Sequence, residues 1–229
     1  TNPVDAMNSI TDASATNPYL VKIMPGVYFL TDSLFMKAYV DMEGSGENVT
    51  KIRGSASGGN FPISLIHGNS YSDIRFLTIE ETGNYYALVL GANQKITNVT
   101  ISAGGNVTVR NLGVDGVIIS NSSINCSNGN YFAYQGGGTT IMKDVVVTGG
   151  VWANNLTIRN SYLVSVPAFN GYAVTDNGGI NISSSQIDGK VWAAPNSNSS
   201  ISLSQINGTI ENHFRCFGVY DSNYMPITC

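Results

Sequence analysis

Charge is what this sequence has least of. Only 11% of its 229 residues are Asp, Glu, Lys or Arg, and the 11 Lys and Arg are scattered singly from Lys22 to Arg215. Without a basic stripe to neutralise phosphates, nucleic-acid binding is excluded as a class. Histidine occurs twice, at His67 and His213, and cysteine three times, at Cys126, Cys216 and Cys229. No Cys/His spacing resembles a zinc site, and no dense run of oxygen ligands resembles a calcium loop, so neither a metal nor another cofactor is expected. No apolar run approaches the roughly 20 residues that span a bilayer, so no membrane span is expected. The first residues lack the charged-then-apolar pattern of an export leader, and the expectation is a secreted or cell-surface protein whose leader has already been removed. Helical periodicity is almost missing after the first ten residues.

What is present is a core. Hydrophobic residues make up 42% of the chain, which argues against disorder. The polar surface comes mainly from Asn, Ser, Thr and Gly. Nothing marks a break between two domains, so one domain over 1–229 is expected.

Short β-branched runs separated by Gly, Asn and Ser recur down the chain, and aligning them exposes a repeat. Two apolar residues stand five apart in Ile74/Ile79, Ile96/Ile101, Ile119/Ile124, Met142/Val147, Ile158/Leu163, Ile182/Ile187 and Ile201/Ile206. The period is near 22 residues and tolerates insertions. It suits an all-β, right-handed parallel β-helix, in which three short strands form each coil and inward side chains stack from coil to coil. A sandwich of antiparallel strands is the rival, but it does not require similar residues at a fixed interval.

Two residues after the first apolar member stands a second column: Phe76, Asn98, Asn121, Asp144, Asn160, Ser184 and Leu203. Asn and Asp tolerate left-handed turns. Asn98, Asn121, Asp144 and Asn160 therefore read as turn-formers, whose side chains are expected to point inward and hydrogen-bond along the axis as a ladder.

A solenoid needs covered ends. Residues 1–18 are expected to form an N-terminal cap: Asn2 is placed as N-cap, Pro3 opens a short helix, and Val4 and Met7 lie at helical spacing. Coils are expected over 19–210. Over 211–229, Phe217, Tyr220 and Tyr224 are expected to cover the last coil, pinned by a Cys216–Cys229 disulfide that implies an oxidising compartment. Cys126, beside an apolar strand position, reads as a buried thiol.

The stretch Tyr19-Leu-Val-Lys-Ile-Met-Pro-Gly-Val-Tyr28, followed by Tyr39-Val-Asp-Met-Glu-Gly-Ser-Gly46, resembles the opening coils of pectin methylesterases and the wider pectin-lyase-like superfamily. Their pattern is a capping helix, an I-x-P-G-x-Y strand and turn, and an I-x-G-x-G segment, in which Met42 replaces the Ile. The resemblance covers about the first 55 residues and implies the parallel β-helix. It would also imply ester hydrolysis by aspartates, glutamines and an arginine, but the D-F-I-F-G and G-R-P-W signatures of those enzymes do not occur. Val174-Thr-Asp-Asn-Gly178 has an aspartate near glycine without the apolar framing. No catalytic residue is assigned.

An acid pair also stands out independently of the resemblance. Strand alternation puts Asp41 and Glu43 on one face, as a shared-proton or cation pair or as a solvated edge. Recognition falls to aromatics. Val151-Trp-Ala153 and Val191-Trp-Ala193 repeat 40 residues apart, close to two coils, so Trp152 and Trp192 are expected on one side of the solenoid. Tyr131 and Tyr134, with Tyr162 and Tyr172, could extend a sugar-stacking surface; packing beneath a loop is the alternative. Of nine N-x-S/T sequons, Asn48, Asn198 and Asn207 are the expected surface sites for glycosylation.

The expectation is thus a non-catalytic extracellular module, a structural or adhesive part of a surface, filament or appendage. It would contact polysaccharide or glycan, or associate with itself. A divergent polysaccharide-modifying enzyme and a phage tailspike-type domain are the alternatives.

Overall fold

The computed structural model describes residues 2–55, 63–105, 107–126, 132–166, 170–212 and 214–228. Its strands pair in parallel with the strand one coil later, which produces three long sheets wrapped around one core. Sheet 1 runs from Tyr19–Lys22 through Val117–Ser120 and Leu156–Arg159 to Phe214–Phe217. Sheet 2 runs from Gly26–Leu30 to Gln205–Asn207. The nine-residue strands Asp73–Glu81 and Lys95–Ala103 bend from one to the other, so sheets 1 and 2 join, with 17 strands among the described residues. Among the described residues sheet 3 has nine strands, from Leu34–Phe35 to Ile210–Glu211.

The sequence repeat maps directly onto this register. Ile74, Ile96, Ile119, Met142, Ile158, Ile182 and Ile201 pair one above the other inside sheet 1. Ile79, Ile101, Ile124, Val147, Leu163, Ile187 and Ile206 do so inside sheet 2. None of these fourteen is more than 1% exposed. Each contributes ~1.5–3 kcal/mol of burial, which is why like-shaped apolar residues recur at this interval.

The corner between the paired members is left-handed. Phe76, Asn98, Asn121, Asp144, Asn160, Ser184 and Leu203 all have φ between 47° and 57°. The turn-forming role of this column is therefore as expected, but the inward ladder is not. Asn121, Asp144 and Asn160 are exposed and Asn98 is half-exposed, because a left-handed residue between two inward-facing neighbours throws its Cβ outward. Interior hydrogen bonding belongs instead to the next residue along. Ser122, Ser161, Ser185 and Ser204 are buried, and their hydroxyls accept the backbone N–H of Val99, Val145, Ser161 and Ser185 in the preceding coil at 3.1–3.2 Å. Each hydroxyl donates to the carbonyl two residues before it, at 2.7–2.8 Å.

The ends are covered. The helix Pro3–Ser9 has Asn2 as N-cap, whose side chain accepts the Val4 N–H at 2.9 Å, and it buries Met7 at the head of the core. In the next coil Gly44 cannot carry a side chain, since a Cβ would stand 2.4 Å from the Phe76 carbonyl oxygen. At the other end Phe214–Phe217 adds a further strand to sheet 1, within the stretch expected only to cap. Val219 is buried beyond it, and Tyr220 bridges to Gln205 and Pro226. Cys229 lies outside the described residues, and with it the Cys216–Cys229 pairing. Cys126 is buried inside sheet 2. No helix among the described residues is long and apolar enough to cross a membrane.

Candidate functional site

Sheet 3 carries the recognition candidates. Its inward column of Leu34, Ile66, Leu88, Val109, Tyr134, Val151, Val174 and Val191 is buried throughout. Side chains alternate along a strand, so the residue after each of these faces outward. The outward column runs Phe35, His67, Val89, Arg110, Gln135, Trp152, Thr175, Trp192 and Glu211.

Trp152 and Trp192 therefore stand in one line, two coils apart, with Thr175 between them, as the repeated tripeptide indicated. Both are partly exposed, and strand spacing separates their backbones by roughly 9.5 Å. Phe132 stacks beside Trp152 with ring centroids 6.0 Å apart. Tyr172 flanks the line: its hydroxyl donates to Glu211 at 2.7 Å, and Lys190 lies 5.4 Å from its ring centroid.

Tyr134 does not belong to the surface. Register places it between Val109 and Val151 inside the core, and its hydroxyl lies 2.7 Å from the Thr140 hydroxyl. Burial raises that phenol to about 12, so it acts as a satisfied neutral core group. Tyr131 lies outside the described residues. Tyr162 is on sheet 2, hydrogen-bonded to Asp188, and contributes nothing to this line.

The acidic candidates do not converge. Asp176 is fully buried; one carboxylate oxygen accepts the Gly178 and Gly179 N–H groups at 2.8 Å each, and the other accepts the Ser199 hydroxyl. That is a turn clamp, the carboxyl counterpart of Asn111, which holds Gly113 and Val114 the same way three coils earlier in the same column. Asp144 sits on the outer corner of sheets 1 and 2. Asp41 and Glu43 do share a face, but it is occupied by Arg75, at 3.2 Å and 2.8 Å. The Arg75 hydrogen bond holds the Glu43 carboxyl below its ordinary value, while burial pushes the neighbouring Asp73 upward. Among the described strand residues facing outward on sheet 3, Glu211 is the one carboxylate. Asn48, Asn198 and Asn207 are exposed.

Sequence reasoning passed over Arg110. It shares the outward column with Trp152, two coils earlier, and its Nε and Nη1 are buried without a hydrogen-bond partner. Extending the Val-Trp-Ala tripeptide coil by coil, to Tyr134-Gln-Gly136 and Val109-Arg-Asn111, is the signal that finds it.

No protein-family profile and no curated protein matches the chain. Solved structures do. Pectin methylesterase from carrot matches with a TM-score of 0.66 at 14% identity, over 98% of this chain and 80% of that one. Pectin methylesterase PemA from Erwinia chrysanthemi matches with a TM-score of 0.61 at 15% identity, over 95% and 76%. The ORF18 protein of Geobacillus virus E2 matches with a TM-score of 0.53 at 11% identity, over 97% of this chain and 59% of that one. At such identities the likeness is one of fold. The chain has the pectin-lyase-like right-handed parallel β-helix fold, shared with pectin methylesterases.

Proposed function

We propose that this protein is a non-catalytic extracellular module that contacts glycans through the outer face of sheet 3. The observation that carries this reading is the register Trp152–Thr175–Trp192, which lines up two indoles along the solenoid axis on a face with a single strand carboxylate, Glu211, already held by Tyr172. Indole faces stack on the apolar faces of sugar rings; the Thr175 hydroxyl between them and the Gln135 amide one coil before Trp152 supply hydrogen bonds. Ester hydrolysis of the kind performed by the structural neighbours calls for a nucleophile, an acid and an oxyanion stabiliser together. Here the buried Asp176 is spent on a turn and Asp144 lies on a different face. Exposed Asn48, Asn198 and Asn207 support a glycosylated surface, and a Cys216–Cys229 disulfide pinning the C-terminal segment belongs to the same reading.

The test pairs binding with turnover. Affinity electrophoresis through gels containing methyl-esterified pectin, polygalacturonate, xylan or glucomannan should show retardation by at least one polysaccharide, lost in Trp152→Ala. Release of methanol or acetate should stay at the level of the buffer. Turnover that disappears in a sheet 3 variant would establish a divergent esterase instead.

A further inference from the structure

The column that carries Trp152 also carries Arg110, a guanidinium with buried, unpartnered donors. Arg110 leaves strand Val109–Asn111 on the outer face of sheet 3, and both Nε and Nη1 are buried with no hydrogen-bond partner. A guanidinium presents its donors in a rigid fork, and donors removed from water without a partner are costly, so nearly all such groups in folded proteins are satisfied. Elsewhere in this molecule the rule is kept: Arg75 holds Asp41 and Glu43, and Arg53 holds Glu80.

Arg110 also lines an open groove of about 240 Å³, with Trp152 and Asn154 on its walls and Gly113, Gly136 and Gly137 among its lining residues. Gly113 and Gly137 keep the groove open, whereas a Cβ at Gly136 would meet the core-facing Tyr134 hydroxyl at 2.5 Å. A Cβ at Gly113 would meet nothing within 4 Å, and one at Gly137 would meet only the Gly113 backbone at 3.8–3.9 Å. The turn behind them is fixed by Asn111, whose Oδ1 accepts the Gly113 and Val114 N–H groups at 2.9 and 2.8 Å. An aromatic wall, a side-chain amide and an unpaired guanidinium around a floor without side chains match one sugar ring that bears an oxyanion.

We propose that Arg110 anchors an oxyanion subsite, in which a carboxylate- or sulfate-bearing ring of a glycan sits over Gly136 and Gly137 against Trp152. The bond is non-covalent: carboxylate or sulfate oxygens accept N–H donors of the guanidinium, which is the partner the folded chain does not supply. The proposal rests on the glycan-contacting reading above and adds the charge of the ligand to it.

Calorimetric titration of the full chain tests it with three hexasaccharide probes: galacturonic acid hexamer, a sulfated heparin-type hexamer and neutral cellohexaose. At least one charged probe should bind about tenfold or more tightly than the neutral one, and Arg110→Gln should abolish that preference. Gly137→Leu should weaken the same probe by filling the groove, with the unfolding midpoint unchanged. This variant decides the matter if Arg110→Gln does not fold. In the unliganded protein Arg110→Gln should leave the midpoint level or raised, because it replaces an unpaired buried charge by a neutral amide. Charged probes that bind no tighter than cellohexaose, or that bind Gly137→Leu as tightly as the parent, would overturn the subsite. If cellohexaose binds through Trp152 with no effect of Arg110, this inference fails and the glycan-contacting reading stands; if no glycan binds at all, both fail.

Discussion

The backbone N–H of Ser161 donates to the hydroxyl of Ser185 across one coil at 3.1 Å, while each of these serines donates its own hydroxyl to a carbonyl two residues before it. The pair shows how the solenoid turns its first corner. A left-handed residue breaks the strand ladder for one step, and the buried N–H that follows is satisfied by a serine from the next coil rather than by a carbonyl. Ser185→Ala strands the Ser161 N–H inside the core, so a loss of about 1–3 kcal/mol is expected in urea unfolding. An unchanged midpoint would show that this N–H finds another partner.

The left-handed corner itself is a site of stored strain wherever the residue is neither Asn, Asp nor Gly. Leu203 has φ 48° and is 64% exposed, so its side chain gains little from packing in return. Leu203→Asn should stabilise the fold by about 1 kcal/mol, and Asn121→Val, which places a β-branched residue at φ 47°, should destabilise it by ~1–2 kcal/mol. Thermal unfolding of the two variants gives the signs directly.

Asp176 and Asp144 make a contrasting pair of carboxylates. Asp176→Ala removes the acceptor for two backbone N–H groups and the Ser199 hydroxyl in a fully buried turn, and a loss of ~2–3 kcal/mol or a failure to fold is expected. Asp144→Asn keeps a left-handed-tolerant residue at an exposed corner and should leave stability within ~0.5 kcal/mol. Neither change should alter glycan affinity. A selective loss of binding in a folded Asp176 variant would return this carboxylate to the site.

His67 stacks on Phe35 with ring centroids 4.5 Å apart at the head of the sheet 3 column. Burial holds its imidazole below the ordinary histidine value, so the folded state favours the neutral ring. The resulting stability is fully present above the unfolded value of about 6.5 and is lost as pH falls through the lower folded value. His67→Phe should therefore flatten the decline of the unfolding midpoint between about pH 7 and 5 relative to the parent. Parallel declines in the two proteins would assign that dependence to other groups.

The sequence made sheets 1 and 2 legible because their inward pairs, such as Ile119/Ile124 and Ile182/Ile187, repeat in kind as well as in spacing. The serine column is masked by its own chemistry: its other members are Leu77, Val99 and Val145, so buried hydroxyls share the column with apolar side chains. Asn98 and Asn121 were read as inward because turn tolerance and inward hydrogen bonding both favour Asn; only the geometry of the corner separates them. On sheet 3 the Val-Trp-Ala repeat locates Trp152 and Trp192, whereas Tyr134 is a single aromatic in Phe132-Ala-Tyr-Gln-Gly136, and its residue type carries no information about its face. Arg110 escaped notice because an isolated arginine gains meaning only once register sets it above Trp152.

The chain has two tryptophans, and both lie in the outward column of sheet 3, so tryptophan emission excited beyond the tyrosine absorption band reports on that face. Titration with the polysaccharide that retards the protein in affinity gels is the most direct test of the account. A saturable change in emission is predicted for the parent chain, reduced in Trp152→Ala and in Trp192→Ala and accompanied by no chemical change in the glycan. A polysaccharide that binds while leaving the emission of both indoles untouched, or one that is hydrolysed on binding, would contradict it.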